Sequence, residues 1–318
     1  MPVLANKPPV AELCDRLRAS LPDATQNLRT LAANLRTIAK DSERLAEETE
    51  FAFLVDRDRQ ILSIGYYMGA HRTHENCYDL LASEARIATF LAIARGHLPQ
   101  QSWFRLSRDH TYAYGQFILQ SWTGTMFEYL MPALWMRSYP DTLIARTQDA
   151  CVHVQRAFAQ TLNLPWGISE SGHVAKDDAG HYQYLAYGVP RLALSDQANA
   201  GPVISPYSAF LALSVDPLEA LHNLHRMASA GWVGSYGFYE SADYSASKHK
   251  PVLVREWMAH HQGMSLLAIV NLLRDNVVQR WFHDNALVQS TERLLHEVPV
   301  SKAILRSRLY ELAPLQTN

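Results

Sequence analysis

Between residues 24 and 48 the apolar positions fall at Leu28, Leu31, Leu35, Ile38 and Leu45, a three-and-four spacing that lays one stripe along a helix. An earlier helix over residues 11–20 is placed to pair with it. The pattern then changes: FAFLVD and QILSIGYY flank Arg57-Asp58-Arg59 and predict a small hairpin. Residues 78–94 and 122–136 are apolar on several faces, as buried helices are, and a further helix is predicted over 143–162. Beyond it, glycines, tyrosines and Pro190 interrupt any helical period up to Pro202. Short helices are predicted at 206–213 and 217–229, each opening on a proline whose missing N–H costs nothing in a first turn. WVGSYGFYESADY reads as a loop or short strand, and long helices at 254–273 and 277–296 close the pattern.

Roughly ten helices thus alternate with Trp- and Tyr-rich connections, and no helical hairpin can bury its apolar face alone. The expected fold is all-α, with hairpins arranged around a centre as an α/α toroid. No fixed-period repeat marks such a ring, and a plain multi-helix bundle satisfies the same pattern.

Composition narrows the partners. At 318 residues, with 48% hydrophobic and 19% charged positions, the chain can bury a sizeable core. Lys and Arg total 29 against 31 Asp and Glu, so no basic field draws nucleic acid. Cys14, Cys77 and Cys151 are odd in number and far apart, which signals neither a disulfide framework nor a zinc site. No run approaches about 18 apolar residues, and the N-terminal stretch lacks the basic start and apolar centre of a secretory signal, so a chain not inserted in a membrane is expected.

Three stretches set a carboxylate beside a tryptophan: WTGTMFEY (Trp122, Glu128), PWGISESG (Trp166, Glu170) and VREWMAHHQGM (Glu256, Trp257). Sugars lay their C–H faces on aromatic rings while carboxylates and amides take their hydroxyls, so these residue types suit a carbohydrate cleft. Cleaving a glycosidic bond needs two carboxyls, and Glu170 with Glu256 is the candidate pair. Read alone, each has a plainer role. Glu170 can cap a helix beginning near Ser169, Glu256 can complement a helix dipole, and Glu128 can sit paired in an apolar helix. In YGFYESADYS, Tyr236, Tyr239, Tyr244, Glu240 and Asp243 fit a packed turn or sugar subsites equally well. Glu256 and His260 share a helix face four apart, with His71 and His74 as further ligands, yet no H-E-x-x-H occurs and no metal is expected. GISESG spaces its glycines too widely for a serine nucleophile elbow, and no phosphate-cradling loop is present; no cofactor is expected.

YDLLASEARIATFLAIARGHLP, WTGTMFEYLMP, WGISESG, SYGFYES and REWMAHHQGMSL, in this order, resemble the glycoamylase-like cyclisation domain of bacterial cyclic β-1,2-glucan synthases, over roughly residues 51–299. The resemblance implies a six-hairpin α/α toroid related to endo-β-1,2-glucanases. With about twelve helices in a full ring and roughly ten here, it leaves room for an incomplete one. It implies residues 1–50 as a helical connector and 51–318 as the catalytic domain. It further implies transglycosylation, in which linear β-1,2-glucan is cut and its ends joined into a ring, with Glu170 as nucleophile and Glu256 as acid/base. Trp122, Glu128, Trp166, Tyr236, Tyr239, Glu240, Trp257, His260, His261 and Gln262 are then the candidate sugar contacts. Hydrolysis of the same glucan, or glucan binding without turnover, are the competing readings. The glycosyltransferase and phosphorylase-like domains of full synthases are the implied partners, at the cytoplasmic face of the inner membrane.

Overall fold

The computed structural model describes residues 10–195, 201–247 and 250–299. The chain divides into two compact units, one ending at Glu50 and one starting at Phe51. The first holds α1 (Val10–Glu48), a single helix of 39 residues with Pro22 inside it. The two helices expected here are therefore one: Pro22 removes one donor, but the Ala-, Leu- and Arg-rich turns on either side carry the helix through. The stripe of Leu28, Leu31, Leu35, Ile38 and Leu45 is exposed.

The second unit carries α2 (Ser83–Ala94), α3 (Gln101–Arg105), α4 (Met126–Leu130), α5 (Leu143–Leu162), α6 (Pro206–Leu211), α7 (Pro217–Ser229), α8 (Ala259–Leu273), α9 (Val277–His283) and α10 (Ala286–Thr291), which makes ten α-helices among the described residues. Helix α5 starts where Thr142 accepts the Ala145 N–H and stops at Asn163, whose backbone turns left-handed. Helix α7 starts where Asp216 accepts the Glu219 N–H ahead of Pro217. Two of the helices read from the sequence are broken here. The stretch 122–136 becomes α4 followed by a 3-10 turn over Met131–Leu134, in which Pro132 cannot continue the α-helical ladder. The stretch 277–296 breaks at Asn285, whose side chain caps α10.

The fold is helical but not all-α, because short strands stitch the connections. Antiparallel pairs are β1 (Val55–Asp56) with β2 (Ile61–Leu62), β3 (Tyr66–Tyr67) with β4 (Arg72–Thr73), β5 (His110–Ala113) with β6 (Gln116–Leu119), and β7 (Ser171–Lys176) with β8 (Tyr182–Leu185). The first pair is the hairpin expected around Arg57-Asp58-Arg59. Strand β9 (Val203–Ile204) and the pair β10 (Val233–Gly234) with β11 (Gly237–Phe238) follow. Then β12 (Ser241–Asp243) lies between β13 (Val252–Val254) and β9, and β7 packs against both β12 and β13. Val254, expected as the first residue of a helix, instead ends this edge strand; Met258 precedes α8 with an extended backbone. One large core contains Phe90, Trp103, Met126, Tyr129, Trp166, Ile204 and Trp232, and helices α4, α6 and α8 pack around it.

Candidate active site

The segment holding Glu170 is clamped from four directions. Gly167 has φ +125°, and a Cβ there would lie 2.4 Å from Oγ of Ser208, so glycine alone fits this bend. From α7, Asn223 accepts the Trp166 N–H at 3.2 Å and donates to the Trp166 carbonyl at 2.7 Å. From α5, the Gln155 amide brackets Ile168 with two 2.9 Å bonds. From α4, the Phe127 N–H donates to Oγ of Ser169 at 3.0 Å, and that hydroxyl meets the Tyr207 hydroxyl of α6 at 2.8 Å. Tyr207 in turn donates to the Glu170 carbonyl at 3.0 Å. The chain then enters β7 at Ser171. Glu170 therefore precedes a strand, and the helix start read at Ser169 is absent because the ladder with β8 takes this backbone.

Glu256 arrives from the other side, two residues beyond β13. Its carbonyl accepts the Glu240 N–H at 3.0 Å, which extends the β12–β13 pairing by one rung. Gly172 of β7 faces both acids: a Cβ built on it would stand 2.6 Å from Oε1 of Glu256, 3.1 Å from Cγ1 of Val254 and 3.2 Å from Cγ of Glu240. The strand that begins right after Glu170 thus touches the Glu256 carboxyl. Oε1 of Glu256 is buried without a hydrogen-bond partner among the described residues. Burial pushes the pKa of Glu256 up, the neighbouring Glu240 charge pushes it further, and His181 opposes both.

Glu170 opens into a groove of ≈ 910 Å³ lined also by Trp122, Glu128, Asp79, Tyr78, His74, Asn76, Arg59 and Arg105. Trp122 is 61% exposed there, as an aromatic platform must be. Glu128 is buried, and its Oε2 accepts from the hydroxyls of Ser121, Thr123 and Thr125 at 2.9, 2.7 and 2.9 Å and from the Thr125 N–H at 3.0 Å. As the third residue of α4 it also caps that helix, so the floor of the groove is a carboxylate held by its own loop. Asp79 caps the start of the next segment through the Leu81 and Ala82 N–H groups, both at 2.8 Å, and burial raises its pKa. Asp79, Tyr78, Asn76, Arg59 and Arg105 were not singled out from the sequence; Tyr78 and Asp79 do open the first of the family-like stretches.

The remaining candidates fall into three places. Trp166 is 7% exposed and belongs to the core, so its ring supports the loop rather than a ligand. Tyr236, 78% exposed, meets Trp257 edge-on at 5.2 Å, and Tyr239 lies 5.3 Å from the same indole with the Arg255 guanidinium over its ring. Gln262 braces this aromatic cluster by donating to the Phe238 carbonyl at 3.3 Å. Glu240 and His261 are buried as a pair, with His261 stacked on Tyr207 at 3.7 Å, and His260 flanks them 4.0 Å from His261. Among the described residues no group of three or more His, Cys, Asp and Glu is arranged to hold a metal ion.

A helical unit with a carboxylate-lined groove and exposed aromatic rings defines a class, and the sequence places it: the chain belongs to the Glycoamylase family of glucoamylase-like proteins, whose model matches residues 76–286. It is 39% identical over 257 residues to the cyclic β-(1,2)-glucan synthase NdvB of Rhizobium meliloti; the match covers 80% of this chain and 9% of that synthase. Its fold is similar to an endo-β-1,2-glucanase from Chitinophaga pinensis, with TM-score 0.61 and 18% identity over 82% of this chain and 65% of that one. A β-1,2-glucanase from Parabacteroides distasonis gives TM-score 0.57 and 15% identity over 82% of this chain and 41% of its own. Identities this low show a shared fold. No helix among the described residues is long and apolar enough to cross a membrane.

Proposed function

We propose that this chain cuts and rejoins β-1,2-glucan by a retaining double displacement. In the first step the Glu170 carboxylate attacks the anomeric carbon, the glycosidic C–O bond breaks, and the leaving oxygen takes the proton of Glu256. In the second, Glu256 accepts the proton of an incoming sugar hydroxyl, whose oxygen displaces Glu170 from the anomeric carbon. When that hydroxyl belongs to the far end of the same chain, the product is a ring. The observation that carries this reading is the contact of Gly172 with Glu256, which brings the strand after Glu170 against the second acid. The burial of Oε1 without a partner supports the acid role, since burial disfavours the charged form of a carboxyl.

The similarity to the synthase supplies the substrate class. On this reading the ≈ 910 Å³ groove binds the glucan. Tyr236, Tyr239 and Trp257 hold the acceptor sugar against water, and the surrounding architecture is an α/α toroid. The partners are the other domains of a long synthase at the inner face of the membrane. The test is incubation with linear β-1,2-glucan and mass analysis of the products. Rings, one water lighter than the linear chains, support the proposal; short linear fragments make the chain a hydrolase, and binding without turnover removes the reaction.

A further inference from the structure

The apolar stripe of α1 takes no part in the reaction above. It continues back from Leu28 through Leu21, Leu17 and Cys14, and with Ala24 and Ser42 it fills ten positions from Cys14 to Leu45 that lie three and four residues apart in strict alternation. Such a seam repeats every 3.5 residues on average, about a tenth of a residue short of a straight α-helical turn, and it stays on one side only when the helix coils around another. Its seven leucine and isoleucine side chains are 53–66% exposed, and Cys14 is exposed with them. No charged residue of α1 lies on the seam, and Leu13 is the one large apolar residue beside it instead of on it. Pro22 follows Leu21 outside the seam, so the donor it lacks leaves the seam unbroken.

We propose that α1 of one copy of this chain pairs with α1 of a second copy in a two-helix coiled coil. The width of the seam gives the kind of partner. A helix that lies on a globular core shows an apolar face about three positions in seven wide, whereas about two in seven is what a single helix covers. The same sequence is its own match. In a parallel pair the flanking contacts join Ser20 to Thr25, Asn27 to Ala32 and Asp41 to Ala46; in an antiparallel pair they join Ser20 to Asp41, Asn27 to Asn34 and Arg18 to Ala39. Neither orientation sets like charges against each other, so a second copy meets no repulsion along the seam. The leucine and isoleucine side chains of two helices withdraw roughly 700 Å² of apolar surface from water, and the flanks raise the total toward the area of about 1,200 Å² at which specific interfaces begin. The pairing concerns the first unit alone and is independent of the glucan reaction.

Sedimentation velocity of the full chain at micromolar concentration tests it. The expected species has twice the mass of one chain. The double variant Leu28→Glu with Leu35→Glu, at two exposed positions, sediments as a monomer with an unchanged circular dichroism spectrum, its association weakened by roughly 100-fold or more. A second readout uses the unsubstituted protein: alkylation of Cys14 by iodoacetamide, followed by peptide mass, slows as protein concentration rises and the seam closes over the thiol. A chain that sediments as a monomer at every concentration leaves the seam to a helix of another protein and overturns the proposal. A dimer that survives in the double variant, or in which Cys14 reacts as fast as in the monomer, is joined through another surface and overturns it as well. Turnover of glucan, present or absent, changes none of these outcomes.

Discussion

Gly172 and Glu256 share one space. The absence of a side chain at Gly172 is what lets the Glu256 carboxyl sit against β7, since a methyl carbon there would stand 2.6 Å from Oε1, closer than real contacts allow. Val254 and Glu240 border the same space, so an added methyl at Gly172 meets three side chains at once.

Gly172→Ala accordingly lowers stability by about 1–3 kcal/mol through overpacking and lowers turnover of linear β-1,2-glucan by roughly 100-fold, because small displacements of a reacting group weigh heavily on rate. Urea denaturation and a product assay check both parts. A variant with unchanged turnover would show that Glu256 is not held by this contact.

Glu256→Gln reads the protonation of this acid through stability. The folded-state pKa of Glu256 lies above its unfolded value, so its stabilising contribution is fully present below the unfolded pKa and is lost as pH rises through the folded one. The glutamine variant cannot ionise and escapes that loss. Its melting temperature relative to the unsubstituted protein should rise as pH increases from the ordinary glutamate range, about 4, through the higher folded-state pKa, while its turnover falls by roughly 10²–10⁴-fold. Thermal melts across this range and the glucan assay measure the two effects.

Glu128→Gln tests whether the groove floor is held by charge. Three hydroxyls and the Thr125 N–H converge on one carboxylate oxygen, and hydrogen bonds to a charged group are the strong kind. The substitution is expected to cost about 1–3 kcal/mol with an unchanged denaturant slope.

Trp122 and Trp166 should part company. Trp122→Ala, at an exposed position in the groove, leaves stability within about 0.5 kcal/mol and weakens glucan binding as measured by calorimetry. Trp166→Ala, in the core, costs about 3–5 kcal/mol.

Helices α5 and α7 were legible from sequence to the residue, because each combines a regular apolar period with a local cap: Thr142 and Asn163 for one, Asp216 with Pro217 for the other. Strands β7 and β13 were not, since three to six residues carry no period long enough to separate them from a helix end. Val254 therefore read as the start of the last-but-one long helix, which begins at Ala259. Glu170 and Glu256 were chosen as candidates from the motifs that hold them. The pairing of Glu240 with His261 was not, because both types suit a sugar contact equally well and only burial separates a support from a ligand group.

The sequence by itself determined the helical class, the two candidate acids and the aromatic chemistry around them, since composition, apolar spacing and short motifs are local properties of the chain. The tertiary structure alone decided which carboxylates meet. Glu128 closes on its own loop, whereas Glu240 and Glu256 become neighbours of the strand after Glu170 because β7 packs on β12 and β13, dozens of residues further along the chain, and a contact of that kind is made by packing and leaves no spacing for a sequence to show.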